Sequence, residues 1–397
     1  MMNTTRRVAT GVAMAAAVAA VLAGCSSSPS SSSPSTGAAG TTSSTACTTL
    51  TTAQAQVATS AADFGGLDCL VAAANAEGKL NVITLPPSWA NYGKIIQGFE
   101  AKYPQIKINS ENPDGSSQDE ADAAHNDKGQ STAPDVFDIG TTVLDKNLDI
   151  VTPYKVQNWA DIPADFKDAD GKWYYDYTGL MSIGYDSSKI KTAPTSLKDL
   201  LGSAYKNAVA IKMSPVKANE ALMAVVLAAL DNGGSGDKLQ PGVDWFKSLK
   251  TAGNYIPTVA SQATVNSGET PVVLQWSYNN LAWGDAAQGG NPNFKTVIPS
   301  GAAVGSYYNQ AVASGAANPA AARLWEEYLY TPTVQNLFLA AGAFPATLDA
   351  MTKAGTVDKA ALAAAGGAPS KITLLTADQA AAAGTFITTA WPAAMGQ

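Results

Sequence analysis

Leu80-Asn81-Val82-Ile83-Thr84-Leu85 is a short run of branched and apolar residues closed by Pro86-Pro87, and it reads as a buried strand. Downstream, Tyr92, Ile95, Ile96, Phe99 and Tyr103 fall at the spacing of a helix that packs one face inward, and Pro104 stops it. A second strand is expected over Ile106 to Asn109. Ser117-Gln118-Asp119-Glu120 has the form of a capping box that opens another helix, and Asp135 to Ile139 gives a third strand after Pro134. Upstream, Leu70 to Ala76 reads as a short helix closed by Gly78. The order is βαβαβ, which implies a mostly parallel sheet with helices on both faces and ligands bound beyond the carboxyl ends of the strands. The informative loops are therefore those after Leu85, Asn109 and Ile139.

A second set of similar units follows the strand expected over Leu180 to Tyr185. Ser196-Leu197-Lys198-Asp199 caps a short helix, Val209 to Lys212 is a strand, and Ala218 to Leu230 is an apolar helix ended by Asn232-Gly233-Gly234. A helix over Val243 to Leu249 and strands over Val272 to Trp276 and Tyr307 to Ala313 come next. Asn318-Pro319 opens a helix whose apolar positions include Ala321, Leu324, Trp325, Tyr328 and Leu329. Two α/β lobes are the simplest account of 397 residues that are 46% hydrophobic. The net charge of -7 offers nothing to nucleic acid phosphates. One histidine and three cysteines leave little material for zinc sites or imidazole chemistry, so neither a metal nor a cofactor is expected.

The chain opens with Arg6-Arg7 and an apolar stretch from Val8 to Leu22, the outline of a cleaved leader too short to span a bilayer. Leu22-Ala23-Gly24-Cys25 resembles the lipobox of bacterial lipoproteins, which makes Cys25 the lipidated first residue of the mature chain. Loss of Arg6 and Arg7 takes the net charge to -9. Ser26 to Thr45 is almost entirely Ser, Pro, Thr, Gly and Ala, the composition of a disordered tether. The remaining cysteines, Cys47 and Cys69, form an even pair in an oxidising compartment and are expected to be joined.

Several ordered segments resemble the extracellular solute-binding proteins of bacterial ABC importers, in the group of iron, polyamine and 2-aminoethylphosphonate binders. They are the stretches Leu70 to Leu80, Phe99 to Ile108, Ala133 to Val136, Ser182 to Asp186, Thr195 to Leu201, Ser267 to Glu269 and Asn318 to Tyr330. The resemblance implies a two-lobed periplasmic-binding-protein fold of type II character, with the solute in the cleft and closure by hinge bending through Met181–Tyr185 and Tyr308–Val312. It divides the chain into a leader (1–24), lipidated cysteine and tether (25–46) and a disulfide-pinned segment (47–78). There follow the first part of lobe 1 (79–182), the first part of lobe 2 (183–303), a return to lobe 1 (304–345) and a C-terminal helical segment of lobe 2 (346–397). It also implies a monomer that delivers a small polar or charged solute to a separate permease and touches the membrane through its lipid alone.

Candidate ligand contacts are Ser88, Trp89, Asn91 and Tyr92 after the first strand, Ser116 and Ser117 after the second, and Thr141 and Thr142 after the third. Ser88 and Asn91 equally suit a helix cap, Trp89 a surface lid, and Ser117 an ordinary N-cap. Free N–H groups and hydroxyls at such positions suit an anion. In the second lobe Ser214 precedes an apolar helix, where it equally suits a turn, and Trp276, Tyr278 and Asn279 follow a strand. Iron binders of this family carry two adjacent tyrosines where this chain has Tyr278-Asn279, so one phenolate is missing; Tyr307-Tyr308 is a substitute pair that also reads as a hinge feature. A polyamine site needs acids and aromatic walls, which Asp114, Asp176 and Asp285 with Trp89, Trp276 and Tyr278 could supply. His125 reads as exposed, and Asp168-Ala169-Asp170-Gly171 lacks the later residues of a calcium loop. Two other readings are a surface glycosidase using Glu269 and Asp285, and a scaffolding lipoprotein with no small ligand.

Overall fold

Strands β1 (Lys79–Ile83) and β2 (Lys107–Glu111) pair in parallel around the crossover helix Tyr92–Lys102, whose Tyr92, Ile95 and Phe99 face the core. β3 (Val136–Gly140) lies beside β1, tied to it where Asp135 N donates to Asn81 O at 3.0 Å and Asn81 N to Asp135 Oδ2 at 2.6 Å. The computed structural model describes residues 47–365, 367 and 371–396, all within one compact unit, Thr45–Gln397. The leader, Cys25 and the tether expected before Cys47 lie outside the described residues. No helix among the described residues is long and apolar enough to cross a membrane.

The larger sheet has eight strands, adding β4 (Val151–Thr152), β5 (Tyr174–Asp186), β6 (Val209–Ile211), β7 (Val272–Trp276), β8 (Phe294–Val297), β9 (Gly305–Ala313) and β10 (Phe344–Pro345) to β3. Its main path runs β3-β9-β5-β7-β6. The two-lobed α/β class stands, but the expectation of mostly parallel strands is corrected here. Among the named strand pairs of the described residues only β1–β2 and β6–β7 are parallel, whereas β3–β9, β5–β9 and β5–β7 are antiparallel. The reason is β5 and β9, which carry the chain across the molecule and back between the two sets of βα units and so run against their neighbours.

β5 begins at Tyr174 rather than at Leu180, because Asp176 and Thr178, although fully buried, interrupt the apolar reading. Its first half pairs with β9 up to Leu180, and from Met181 it pairs with β7. The switch brings Tyr278 onto the strand: a Cβ at Gly179 would stand 2.6 Å from the Tyr278 ring, so only glycine admits this approach.

Cys47 and Cys69 are bonded, as their count suggested. The segment they pin is held further by Arg323, fully buried on the helix Pro319–Leu329, which donates to Ala58 O and Gln56 O at 2.8 Å each. The C-terminal helix Ala377–Met395 lies against the helix Gln240–Thr251, with Trp391 edge-on to Phe246 at 5.1 Å.

Candidate functional site

Two strands bring two carboxylates into the interior. β3 carries Asp138 between Phe137 and Ile139, and β5 carries Asp176 next to Tyr177. Tyr177 Oη donates to Asp138 Oδ2 at 3.1 Å, and Asp138 Oδ1 is buried without a partner. Asp176 accepts from Tyr177 N at 2.5 Å, Gln310 Nε2 at 2.7 Å and Tyr92 Oη at 3.4 Å. Burial pushes Asp138 up to about 7, against the pull of the Tyr177 hydroxyl. Burial and the neighbouring Asp138 together push Asp176 well above the usual carboxylate range. Two buried acids whose charges repel disfavour ionising together, and a cation placed beside them would relieve both.

Aromatic rings form the wall above this pair. Trp89, in the loop after β1, donates from its indole nitrogen to Tyr177 Oη at 2.5 Å and meets Tyr278 and Tyr308 edge-on at 5.3 and 5.8 Å. The backbone holds Trp89 there through two residues in the left-handed region, Ala90 at φ 44° and Asn91 at φ 68°. Tyr278 is buried with its hydroxyl unpartnered. Burial raises the hydroxyls of Tyr92, Tyr177, Tyr278 and Tyr308 well above their ordinary value, so they remain protonated.

Lys212 and Glu220 complete the arrangement. Glu220, at the start of the helix Asn219–Asp231, accepts through Oε1 from Trp276 N and Asn279 Nδ2, each at 2.9 Å. Its Oε2 stands 3.9 Å from Lys212 Nζ, and that ammonium lies 4.7 Å from the centre of the Trp89 ring. The geometry suits a compact, positively charged group held between carboxylates and aromatic faces.

The residues singled out from sequence fall into three groups. Trp89, Tyr92, Tyr278 and Asp176 come together in the cluster, with Trp276 and Asn279 against Glu220. Asn91 instead donates to Leu337 O at 2.7 Å, tying its loop to the helix Pro332–Ala340. Ser88 is exposed, and Ser214 serves its own turn, accepting from Lys217 N and Ala218 N at its carbonyl. The capping box is shifted by one residue: Ser116 caps the helix Ser117–Asn126 with Asp119, and Ser117 Oγ accepts from Gly140 N at 2.9 Å. Thr141 accepts from Asn309 Nδ2 at 3.0 Å, and with Thr142 it lines a separate shallow cleft that includes Tyr175, Asn219 and Ser306.

Asp114 and Asp285 are exposed, and Asp285 caps a short turn through Ala287 N. Glu269 is also exposed, accepting from Thr258. The pair Tyr307-Tyr308 alternates faces as a strand requires: Tyr307 stacks on Tyr175 at 5.0 Å while Tyr308 faces Trp89, so the two hydroxyls do not converge. His125 is half exposed. Sequence reasoning missed Asp138, Tyr177, Gln310, Lys212 and Glu220. The signal that could have found Asp138 is a carboxylate inside an otherwise apolar strand.

Residues 131–367 match the family of bacterial extracellular solute-binding proteins. No curated protein matches the chain significantly. Among solved structures, the chain is similar to apo ferric ion-binding protein A of Pasteurella haemolytica, with a TM-score of 0.59 and 17% identity over 80% of this chain and 98% of that one. Iron-bound HitA of Pseudomonas aeruginosa gives 0.56 and 19% over 80% and 99%. The spermidine/putrescine substrate-binding protein PotD of Streptococcus pneumoniae gives 0.53 and 15% over 79% and 99%. Likeness at these identities speaks to the fold, which in each case is that of a two-lobed binding protein, and the family match covers more than half of the chain. This chain belongs to the bacterial extracellular solute-binding proteins.

Proposed function

We propose that the chain captures a small ammonium-bearing solute in the cleft between its lobes, releases it unchanged, and presents it to the permease of an ABC importer. The observation that carries the reading is the buried Asp138–Asp176 pair beneath Trp89, Tyr278 and Tyr308, with Asp138 Oδ1 and Tyr278 Oη both buried and unbonded. An unpartnered buried acceptor costs about 1–3 kcal/mol, and a solute ammonium supplies the missing donor and the missing charge at once. Lipidation of Cys25 and the tether that follows it would keep a monomeric receptor at the outer face of the membrane, within reach of its permease.

The test is a thermal-shift panel of putrescine, spermidine, 2-aminoethylphosphonate, organic phosphates and ferric complexes. At a hundredfold excess over Kd a ligand adds about 2.7 kcal/mol of stability, a shift of several degrees. Amines are expected to raise the melting temperature. A response confined to phosphates or ferric complexes would overturn the assignment of a cation. Membrane fractionation of wild type and Cys25→Ser tests the anchor: the variant should leave the membrane pellet.

A further inference from the structure

An aromatic face and a carboxylate that would suit an ammonium, those of Trp89 and Glu220, are already met by an ammonium of the chain itself. Lys212 leaves the end of β6, and the next residue, Met213, sits in the left-handed region at φ 66°, turning the backbone sharply. The side chain reaches across to lie 4.7 Å over Trp89, which belongs to the loop after β1. Behind it stands Glu220, whose Oε1 is engaged by Trp276 and Asn279 and whose Oε2 is left to the lysine at 3.9 Å. Left-handed residues thus flank both partners, Ala90 and Asn91 after Trp89 and Met213 after Lys212. Backbone strain held at two facing loops marks a positioned contact. The lysine remains 29% exposed, so its ammonium can return to water without unfolding anything, whereas Glu220 at 5% cannot.

We propose that Lys212 is an internal stand-in for the solute: its ammonium occupies the subsite between Trp89 and Glu220, holds the lobes together before capture, and is displaced when the solute's ammonium arrives. This rests on the reading of the solute as a cation. The exchange makes Lys212 a specificity-determining residue, because an incoming group must replace both a cation–π contact and a carboxylate contact to displace it. A neutral solute satisfies neither, and an anion meets Glu220 directly. A site that is competent only when the lysine has left binds with an apparent affinity reduced by the competent fraction. A partly exposed cation–π contact and a weak ion pair together amount to a factor of about 5 to 30.

The test compares wild type with Lys212→Met, which keeps the length and apolar stem, and Lys212→Arg, which keeps the charge. Putrescine titrations by calorimetry are expected to give about 5- to 30-fold tighter binding for Lys212→Met and near wild-type binding for Lys212→Arg. Solution scattering of the ligand-free proteins should show a larger radius of gyration for Lys212→Met alone. Equal putrescine affinity and equal radius for all three proteins overturn the exchange while leaving the cationic solute intact. Weaker binding by Lys212→Met overturns it as well, since the lysine would then be a contact and not a competitor. Failure of every protein to bind putrescine or any other amine overturns the cationic solute, and the exchange with it.

Discussion

Asp138→Asn removes one charge from the centre of the site and leaves the shape intact, since the amide oxygen can still accept from Tyr177 Oη. The wild-type carboxyl titrates at about 7 in the folded chain against an ordinary 3.8. A carboxyl raised by folding contributes its full stability below 3.8, where both states are protonated, and that contribution is lost as pH rises from 3.8 through about 7. Three units correspond to about 4 kcal/mol at most, and sharing of the proton with Asp176 reduces what is realised. Urea unfolding at pH 5 and pH 8 is the assay. The stability of Asp138→Asn relative to wild type should move in favour of the variant by about 2–3 kcal/mol between the two pH values. The same variant should bind putrescine at least tenfold more weakly at pH 8, because the carboxylate that faces the solute is gone. A stability difference that is constant across pH, or that moves against the variant as pH rises, would refute the reasoning, since either result means that Asp138 is not a buried acid held neutral by its surroundings.

Other consequences are open to direct measurement. Tyr278→Phe removes a buried hydroxyl that has no partner, so urea unfolding should show stability unchanged or raised by about 1 kcal/mol, while calorimetry should show weaker amine binding. Arg323→Leu leaves the carbonyls of Gln56, Ala58 and Pro319 without their shared donor and should cost about 3–5 kcal/mol, with limited proteolysis cutting first near Gln56. Cys69→Ser opens a loop closed across a sequence separation of 22 residues and should lower stability by about 3 kcal/mol in urea, with a smaller effect on binding, because the cysteines lie on the pinned segment and not at the cleft.

Much of the fold was legible along the chain. The apolar run from Leu80, the helix spacing from Tyr92 to Tyr103 and the run Val272 to Trp276 depend on local composition, and the observed elements begin and end within a residue or two of their expected places. The pairing of Cys47 with Cys69 followed from counting. Parallel order did not follow, because strand direction in the larger sheet is set by how β5 and β9 cross the molecule, which is a matter of long-range pairing. The candidate site was legible only in part: Asp176 stood out as an acid near aromatic residues, while Asp138, Tyr177, Gln310, Lys212 and Glu220 did not. Trp89, Tyr92 and Tyr278 were singled out because they stand at loop ends, where ligands bind in α/β folds, and the packed chain gathers them in one cluster, while Ser88, Ser116 and Ser214 stood at similar positions and are exposed, a helix cap and a turn.

The residues that give the site its charge lie inside elements. Asp138 looks like one polar letter in a buried strand, and Asp176 like a break in another. Neither letter tells that β9 will lie between their strands and supply Gln310 to hold Asp176 in place, or that Tyr177 will span the gap to Asp138. Lys212 and Trp89 are 123 residues apart in the chain and meet only through tertiary packing. The sequence by itself determined which segments form most of the strands and helices and where the chain is pinned, because these depend on neighbours within a few turns and on the count of cysteines. Only the tertiary structure decided the chemistry of the buried cluster, because burial, which raises the acids and orients the rings, is a property of the packed whole and of no stretch within it.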